Sequence, residues 1–195
     1  GVFKSDYKMR KRIIFIVFII TSQLVFAQGF KGEVFGGLNA SQIDGDDLGG
    51  YNKVGLAIGG GVYFSLNEDV LFFGLQGMYN QKGASTKTDD PNMFIQRLTY
   101  IDMPVFISWN AYEELFLSSG FVPGILISAE RDDGFGFQSN IDLCNTFSFD
   151  YMLEAKYYLL QNVAAGVRWN YAMLSSRTTK SWSNNLLGFY VYFEI

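Results

Sequence analysis

The stretch from Leu186 to Ile195 constrains the fold of this chain more than any other. The apolar residues that alternate through it and share one face are Leu187, Phe189, Val191, Phe193 and Ile195. A period of two residues predicts a β-strand. A long apolar strand at the edge of a sheet promotes aggregation unless it pairs with another strand. The simplest partner is the first strand of the same chain, and that pairing would close a barrel.

Residues 1–27 have the pattern of an export signal. A basic segment at 9–12 precedes an unbroken apolar run at 13–20, which is too short to cross the ~30 Å hydrocarbon core of a bilayer comfortably. Small or compact residues then lead to Ala27, where a signal peptidase would cut. We expect residues 1–8 to lie upstream of a true start at Met9, cleavage after Ala27, and a mature domain over residues 28–195.

The same alternation recurs in the rest of the mature domain. The strands that it predicts span about residues 30–41, 54–66, 71–82, 95–109, 115–128, 143–158, 163–174 and 186–195. Long and short connections follow one another between them, as in bacterial outer-membrane proteins. The sequence therefore predicts an all-β fold: an eight-stranded antiparallel up-and-down transmembrane β-barrel with short periplasmic turns and longer extracellular loops.

The two faces of the predicted strands decide between a membrane barrel and a soluble one. In a soluble barrel of the lipocalin type the outer face would be richly charged. Here the face opposite the aliphatic residues is mostly Gly, Ala, Ser and Tyr with isolated charges, which suits the narrow lumen of a small barrel. Buried charges are tolerated when they are paired. We therefore predict a network of lumen charges formed by Lys31, Glu33, Asp102, Asp150, Glu154, Lys156, Arg168 and Glu194.

Within that network we expect the acidic side chains of Asp102, Asp150 and Glu154 to pair with basic ones. The bases that the alternation offers are Lys31, Lys156 and Arg168. The alternative to a plug of salt bridges is a path for conduction or for ligand binding along the same residues, and the sequence leaves it open. Pro104 has no N–H to donate, so we also expect irregular pairing in the fourth strand.

Composition excludes several classes of function. The chain has no histidine, which rules out Ser-His-Asp and Cys-His catalysis and histidine zinc sites. A formal charge of −4 does not provide the basic face that a nucleic-acid-binding protein needs. Acidic loop residues could hold Ca²⁺ or bridge to lipopolysaccharide, but their spacing forms no recognised motif. We predict no catalytic residues, no metal and no cofactor.

The segment Tyr100-Ile101-Asp102-Met103-Pro104 resembles the Tyr-aliphatic-acid-aliphatic-Pro signature of the PorT-like outer-membrane β-barrel family of Bacteroidetes. Residues 36–41 and 119–124 are also similar to segments of that family. The resemblance implies an outer-membrane barrel and marks Tyr100, Asp102 and Pro104 as motif residues. Most members of the family have no assigned activity, and one branch belongs to a protein secretion apparatus.

We therefore predict a non-enzymatic outer-membrane barrel with a structural or interaction role in the cell envelope. We expect it to contact outer-membrane lipid and lipopolysaccharide, and we expect no nucleic-acid partner. One alternative is a subunit of a secretion or envelope complex, with protein partners. The other is a narrow pore for small solutes.

Overall fold

Ten strands follow one another along the described part of the chain. In the computed structural model, which describes residues 30–44, 50–67, 70–86, 94–176 and 183–195, they are β1 (Phe30–Asp44), β2 (Lys53–Asn67), β3 (Leu71–Ser85), β4 (Ile95–Asp102), β5 (Val105–Tyr112), β6 (Leu115–Asp132), β7 (Gln138–Ser139), β8 (Phe147–Leu160), β9 (Val163–Ala172) and β10 (Ser183–Glu194). A single 3₁₀ turn is described, at Ile141–Leu143. The predicted signal peptide and its cleavage site lie outside the described residues. Within these ranges, no helix is long and apolar enough to cross a membrane.

The first and last strands pair with each other and close the sheet into a barrel. β1 runs antiparallel to β10, with Val34 opposite Phe193 and Leu38 opposite Phe189. β4 and β5 together make one crossing, because each pairs with β3 on one side and β6 on the other. β7 is a short strand that pairs only with the end of β6. The barrel therefore has eight crossings, and the predicted fold is confirmed.

The fourth crossing is interrupted at Met103 and Pro104, as expected from the missing N–H of proline. Regular pairing resumes at Val105. Around the break, the backbone N–H of Gln76 donates to the carbonyl of Pro104 over 2.9 Å, and the backbone N–H of Met103 donates to the carbonyl of Pro123 over 2.8 Å. These two hydrogen bonds join the crossing to both neighbours, so the wall of the barrel stays continuous.

Burial is inverted relative to a soluble protein. Large aliphatic side chains such as Leu38, Val54 and Ile58 are more than half exposed on the outer surface. Polar side chains such as Glu33 and Asn39 are buried on the opposite face of the same strands. An apolar exterior around a polar interior is the pattern of a transmembrane barrel, and it follows from the period-two alternation of the sequence.

Several strands extend beyond the residues that alternation predicts. β1 continues to Asp44, opposite Ser183, and β6 continues to Asp132, opposite Ile95. The reason is physical: apolar alternation reports only the part of a strand that faces lipid, whereas backbone pairing continues above the bilayer. At the other end of the barrel, the turn between β5 and β6 shortens to residues 113–114.

Candidate functional site

Arg168, midway along β9, is fully buried inside the barrel. Its Nε atom lies 2.6 Å from Oε2 of Glu154, and the same oxygen accepts a hydrogen bond of 2.6 Å from the hydroxyl of Tyr192. Its Nη2 atom donates over 2.7 Å to the side-chain oxygen of Gln76. Because a guanidinium presents several donors in one plane, this single side chain links β3, β8 and β10 across the lumen.

A second buried ion pair joins β8 to β1. Nζ of Lys156 lies 3.0 Å from Oε2 of Glu33. The amide nitrogen of Gln76 donates to Oε1 of Glu33 over 2.5 Å, so Gln76 connects this pair to the guanidinium of Arg168. The Lys156 ammonium also lies 5.0–5.6 Å from the centroids of three aromatic rings, which are those of Tyr63, Tyr158 and Tyr192.

Lys82 on β3 is the third charged centre of the lumen. Its Nζ atom lies 2.7 Å from Oδ2 of Asp150 and 3.0 Å from Oδ2 of Asp102. The same oxygen of Asp102 accepts a hydrogen bond of 2.7 Å from Asn80, and the ring centroid of Tyr100 lies 4.9 Å from the ammonium. One lysine thus serves two aspartates, and all three charged side chains are buried.

The partners of the two aspartates differ from those that the sequence predicts. Lys82 is absent from the predicted charge network, yet it lies between Asp102 and Asp150. The reason is strand register: β3 pairs with β4 so that Met78 lies opposite Asp102, which leaves Lys82 on the same inner face and within reach of both carboxylates. The bases proposed for them are otherwise engaged, with Lys156 on Glu33, Arg168 on Glu154 and Lys31 on Glu194.

Lys31 and Glu194 lie at the periplasmic end of the barrel rather than deep in its lumen. Their charged atoms are 3.2 Å apart, and the side chain of Lys31 is 52% exposed. Glu194 also accepts a hydrogen bond of 2.7 Å from the hydroxyl of Tyr158 and another from Tyr63. This pair therefore belongs to the rim, and the remaining six members of the predicted set line the interior.

Neutral polar side chains complete the network, and the search for charges in the sequence missed them. The hydroxyl of Tyr190 donates over 2.6 Å to Asn39, whose amide nitrogen donates over 2.5 Å to Asn80. Asn80 in turn donates to Asp102. The signal that could have identified these residues is their place on the glycine-rich face of each strand, where any polar side chain must find a partner.

Apolar and aromatic side chains cluster at both ends of the lumen. The extracellular end holds an apolar plug formed by Ile43, Ala84, Leu98, Tyr100, Leu126 and Ala129. The periplasmic end holds an aromatic collar whose successive ring centroids are 5.4–5.9 Å apart and which consists of Tyr63, Phe72, Phe116 and Tyr158. The cysteine, Cys144, is half-buried and packs against the apolar plug.

Gly124 shows how tightly the lumen is packed. It lies between Asp102 on β4 and Ser148 on β8 in the strand register. A Cβ atom at this position would overlap the carboxylate of Asp102 and the hydroxyl of Ser148, so no side chain larger than hydrogen fits without displacing the charge network. Among the described residues, no group of three or more acidic, cysteine or histidine side chains could hold a metal ion.

The arrangement predicts unequal costs for removing the members of one cluster. Lys82→Met should lower the free energy of unfolding by about 3–5 kcal/mol, because it leaves two buried carboxylates without a cation. Asp102→Asn should cost about 1 kcal/mol, because an amide oxygen still accepts from Asn80 while Lys82 keeps Asp150. Denaturant titration of the barrel in lipid vesicles measures both.

Lys31→Met is the matched control, since it removes a half-exposed lysine from the rim pair, and its Glu194 partner keeps the hydrogen bonds from Tyr63 and Tyr158. A pair of this kind contributes at most about 1 kcal/mol. If Lys82→Met were no more destabilising than Lys31→Met, the buried cluster would not have the structural importance assigned to it.

Comparison with known proteins agrees with the geometry. Residues 26–177 match the family described as "Outer membrane protein beta-barrel domain". The fold is similar to that of Neisserial surface protein A, with a TM-score of 0.55 and 14% identity over 85% of this chain and 99% of that one. It is similar also to Ail, the attachment invasion locus protein of Yersinia pestis, solved in complex with the heparin analogue sucrose octasulfate, with a TM-score of 0.54 and 13% identity over 86% of this chain and 100% of that one.

No curated protein sequence matches this chain. The family match nevertheless covers most of the barrel, and the two solved structures share its closed antiparallel architecture. The chain therefore belongs to the outer membrane protein beta-barrel domain family.

Proposed function

We propose that this barrel is a non-enzymatic, non-conducting outer-membrane protein that serves as a structural or interaction component of the envelope. The observation that carries the proposal is the filled lumen. Arg168, Lys82 and Tyr100 lie on the inner face of the barrel and are each fully buried. In a pore, side chains on this face would be exposed to water. The function then resides in the loops, the turns and the membrane-facing surface rather than in the interior.

A narrow pore is disfavoured for the same reason. An eight-stranded barrel leaves inside it only the space that its own side chains fill, and an ion needs a continuous aqueous path to cross. Here the path would have to pass the apolar plug, the paired charges and the aromatic collar in turn. Contacts across the barrel narrow this path, such as the 2.7 Å approach of Lys82 to Asp150 and the 3.0 Å hydrogen bond between the hydroxyls of Tyr63 and Tyr158.

We expect no stepwise conductance when the purified barrel is reconstituted into planar lipid bilayers at high salt. A general diffusion porin, inserted in the same bilayers, is the control for insertion and recording. Steady single-channel currents that scale with the amount of this protein would contradict the proposal and favour a solute pore.

We propose further that the chain belongs to the PorT-like branch found in Bacteroidetes and is made with a signal peptide cleaved after Ala27. The motif residues support this assignment, because each has a defined place in the fold. Asp102 pairs with Lys82, Tyr100 packs beside the same ammonium, and Pro104 interrupts the fourth crossing. A role as a subunit of a secretion or envelope complex would follow from that kinship.

One purification tests both assignments. The protein, tagged in an extracellular loop, is isolated from native outer membranes in mild detergent. We expect the intact mass of a chain that begins at Gln28. We also expect an envelope protein to co-purify with the barrel in stoichiometric amount. A chain that begins at Met9 would contradict the signal peptide, and a barrel recovered alone would contradict membership of a complex.

A further inference from the structure

A cavity of about 640 Å³ opens at the periplasmic mouth of the barrel. The turn at residues 113–114 forms one side, and the end of β8 with the turn at residues 161–162 forms the other. Its floor is the aromatic collar already described, so the cavity is a blind pocket that does not continue into the lumen. A volume of this size is within the range of sites that hold a small ligand or a few side chains of a partner.

Acidic side chains outnumber basic ones around this periplasmic cavity. Its lining includes Glu113, Glu114 and Glu194 against one base, Lys31. Lys31 is paired with Glu194. Neither Glu113 nor Glu114 forms an ion pair with any residue that the structure describes, and both are exposed. An excess of unpaired carboxylates at the mouth of a pocket attracts cations and orients their approach.

The turn that presents these carboxylates does not use the residues that its geometry favours. Glu113 has a φ of 41°, a left-handed conformation that glycine and asparagine adopt at lower cost. Of the residues that the structure describes, it alone has a positive φ without being a glycine. This conformation places two adjacent carboxylates, those of Glu113 and Glu114, at the mouth of the cavity.

The rest of the lining combines polar residues, such as Gln161 and Asn162, with apolar ones. Leu159 and Leu160 are 62% and 68% exposed, and Phe72 and Phe116 contribute rings to the floor. Lys156 already packs against two tyrosines of the collar from the lumen side, and Phe72 is buried. The partly exposed ring of Phe116 is therefore the one left for a cation that enters from the periplasm. Leucine side chains cannot coordinate a metal ion, but they can pack along the aliphatic part of a long basic side chain.

We propose that this periplasmic cavity binds a lysine- or arginine-bearing segment of a periplasmic protein. Glu113 and Glu114 pair at the rim with the charged ends of the basic side chains. Leu159 and Leu160 contact the aliphatic parts of those side chains, and Phe116 contributes a cation–π contact. The inference rests on the proposed interaction role and adds to it the face of the barrel that binds and the chemistry of its partner.

The test uses the full barrel in phosphatidylcholine nanodiscs and a fluorescein-labelled tri-lysine peptide, followed by fluorescence anisotropy at low salt. We expect tri-lysine to bind, and tri-glutamate to bind at least about tenfold more weakly. The double variant Glu113→Gln/Glu114→Gln should weaken tri-lysine binding by about tenfold. Phe116→Leu should weaken it by about threefold, through the lost ring contact.

The matched control is Asp133→Asn/Asp142→Asn, which removes the same charge from exposed positions in the extracellular connection between β6 and β8 and should leave the affinity unchanged. Heat-modifiable migration on gels verifies that each variant is folded. Equal binding of the two peptides, or equal losses in the two double variants, would overturn the inference. Either result leaves the conductance test of the proposed function unaffected, and a conducting barrel would not by itself alter the peptide result.

Discussion

The fold depends on placing ionised side chains inside a barrel that is too narrow to hydrate them. A buried charge is costly unless an opposite charge and hydrogen bonds compensate for it. The lumen meets this requirement with four acids and three bases that contact one another, some between neighbouring strands and some across the barrel: Glu33, Asp102, Asp150 and Glu154 with Lys82, Lys156 and Arg168. Removing a base would leave its buried acid without a partner. The clusters also link strands that are not neighbours in the sheet.

These links connect strands that are distant in sequence. Lys156 on β8 contacts Glu33 on β1, and Lys82 on β3 contacts Asp150 on β8. A strand that slipped by one residue would turn its charged side chain toward lipid, where no partner exists. The network therefore specifies register as well as occupying space. Together with the apolar plug and the aromatic collar, it fills the lumen, which is why we propose that the function lies at the two ends of the barrel and on its lipid-facing surface.

Much of this architecture could be predicted from local pattern. A period of two identifies the strands and distinguishes their faces, and the glycine-rich face correctly indicates a narrow interior. The pairing inside the lumen could not be derived in this way. Alternation puts Lys82 on the inner face, but whether it reaches Asp102 depends on strand register and on distances across the barrel, which are non-local. Local shifts also occur between other strands, such as the irregularity at Thr99 and Tyr100 where β4 pairs with β6.

The periplasmic cavity could not be predicted from the sequence either. Its walls are two turns that are far apart along the chain, and only closure of the barrel brings Glu113 near Leu160. The sequence does contain one local sign, since Glu113 and Glu114 occupy a hairpin turn where glycine or asparagine would be expected. That sign has meaning only when the backbone conformation of Glu113 is known.

The most direct test of the filled lumen is chemical access to its interior. Val122 on β6 is fully buried and faces inward beside Met152, whereas Tyr112 at the periplasmic turn is 68% exposed. With Cys144 replaced by serine, single cysteines at these two positions are exposed to a small cationic methanethiosulfonate reagent. A filled lumen predicts that Tyr112→Cys is modified completely while Val122→Cys in the folded barrel stays unmodified. Comparable rates at the two positions would mean that water and ions reach the interior, and the closed lumen would be disproved.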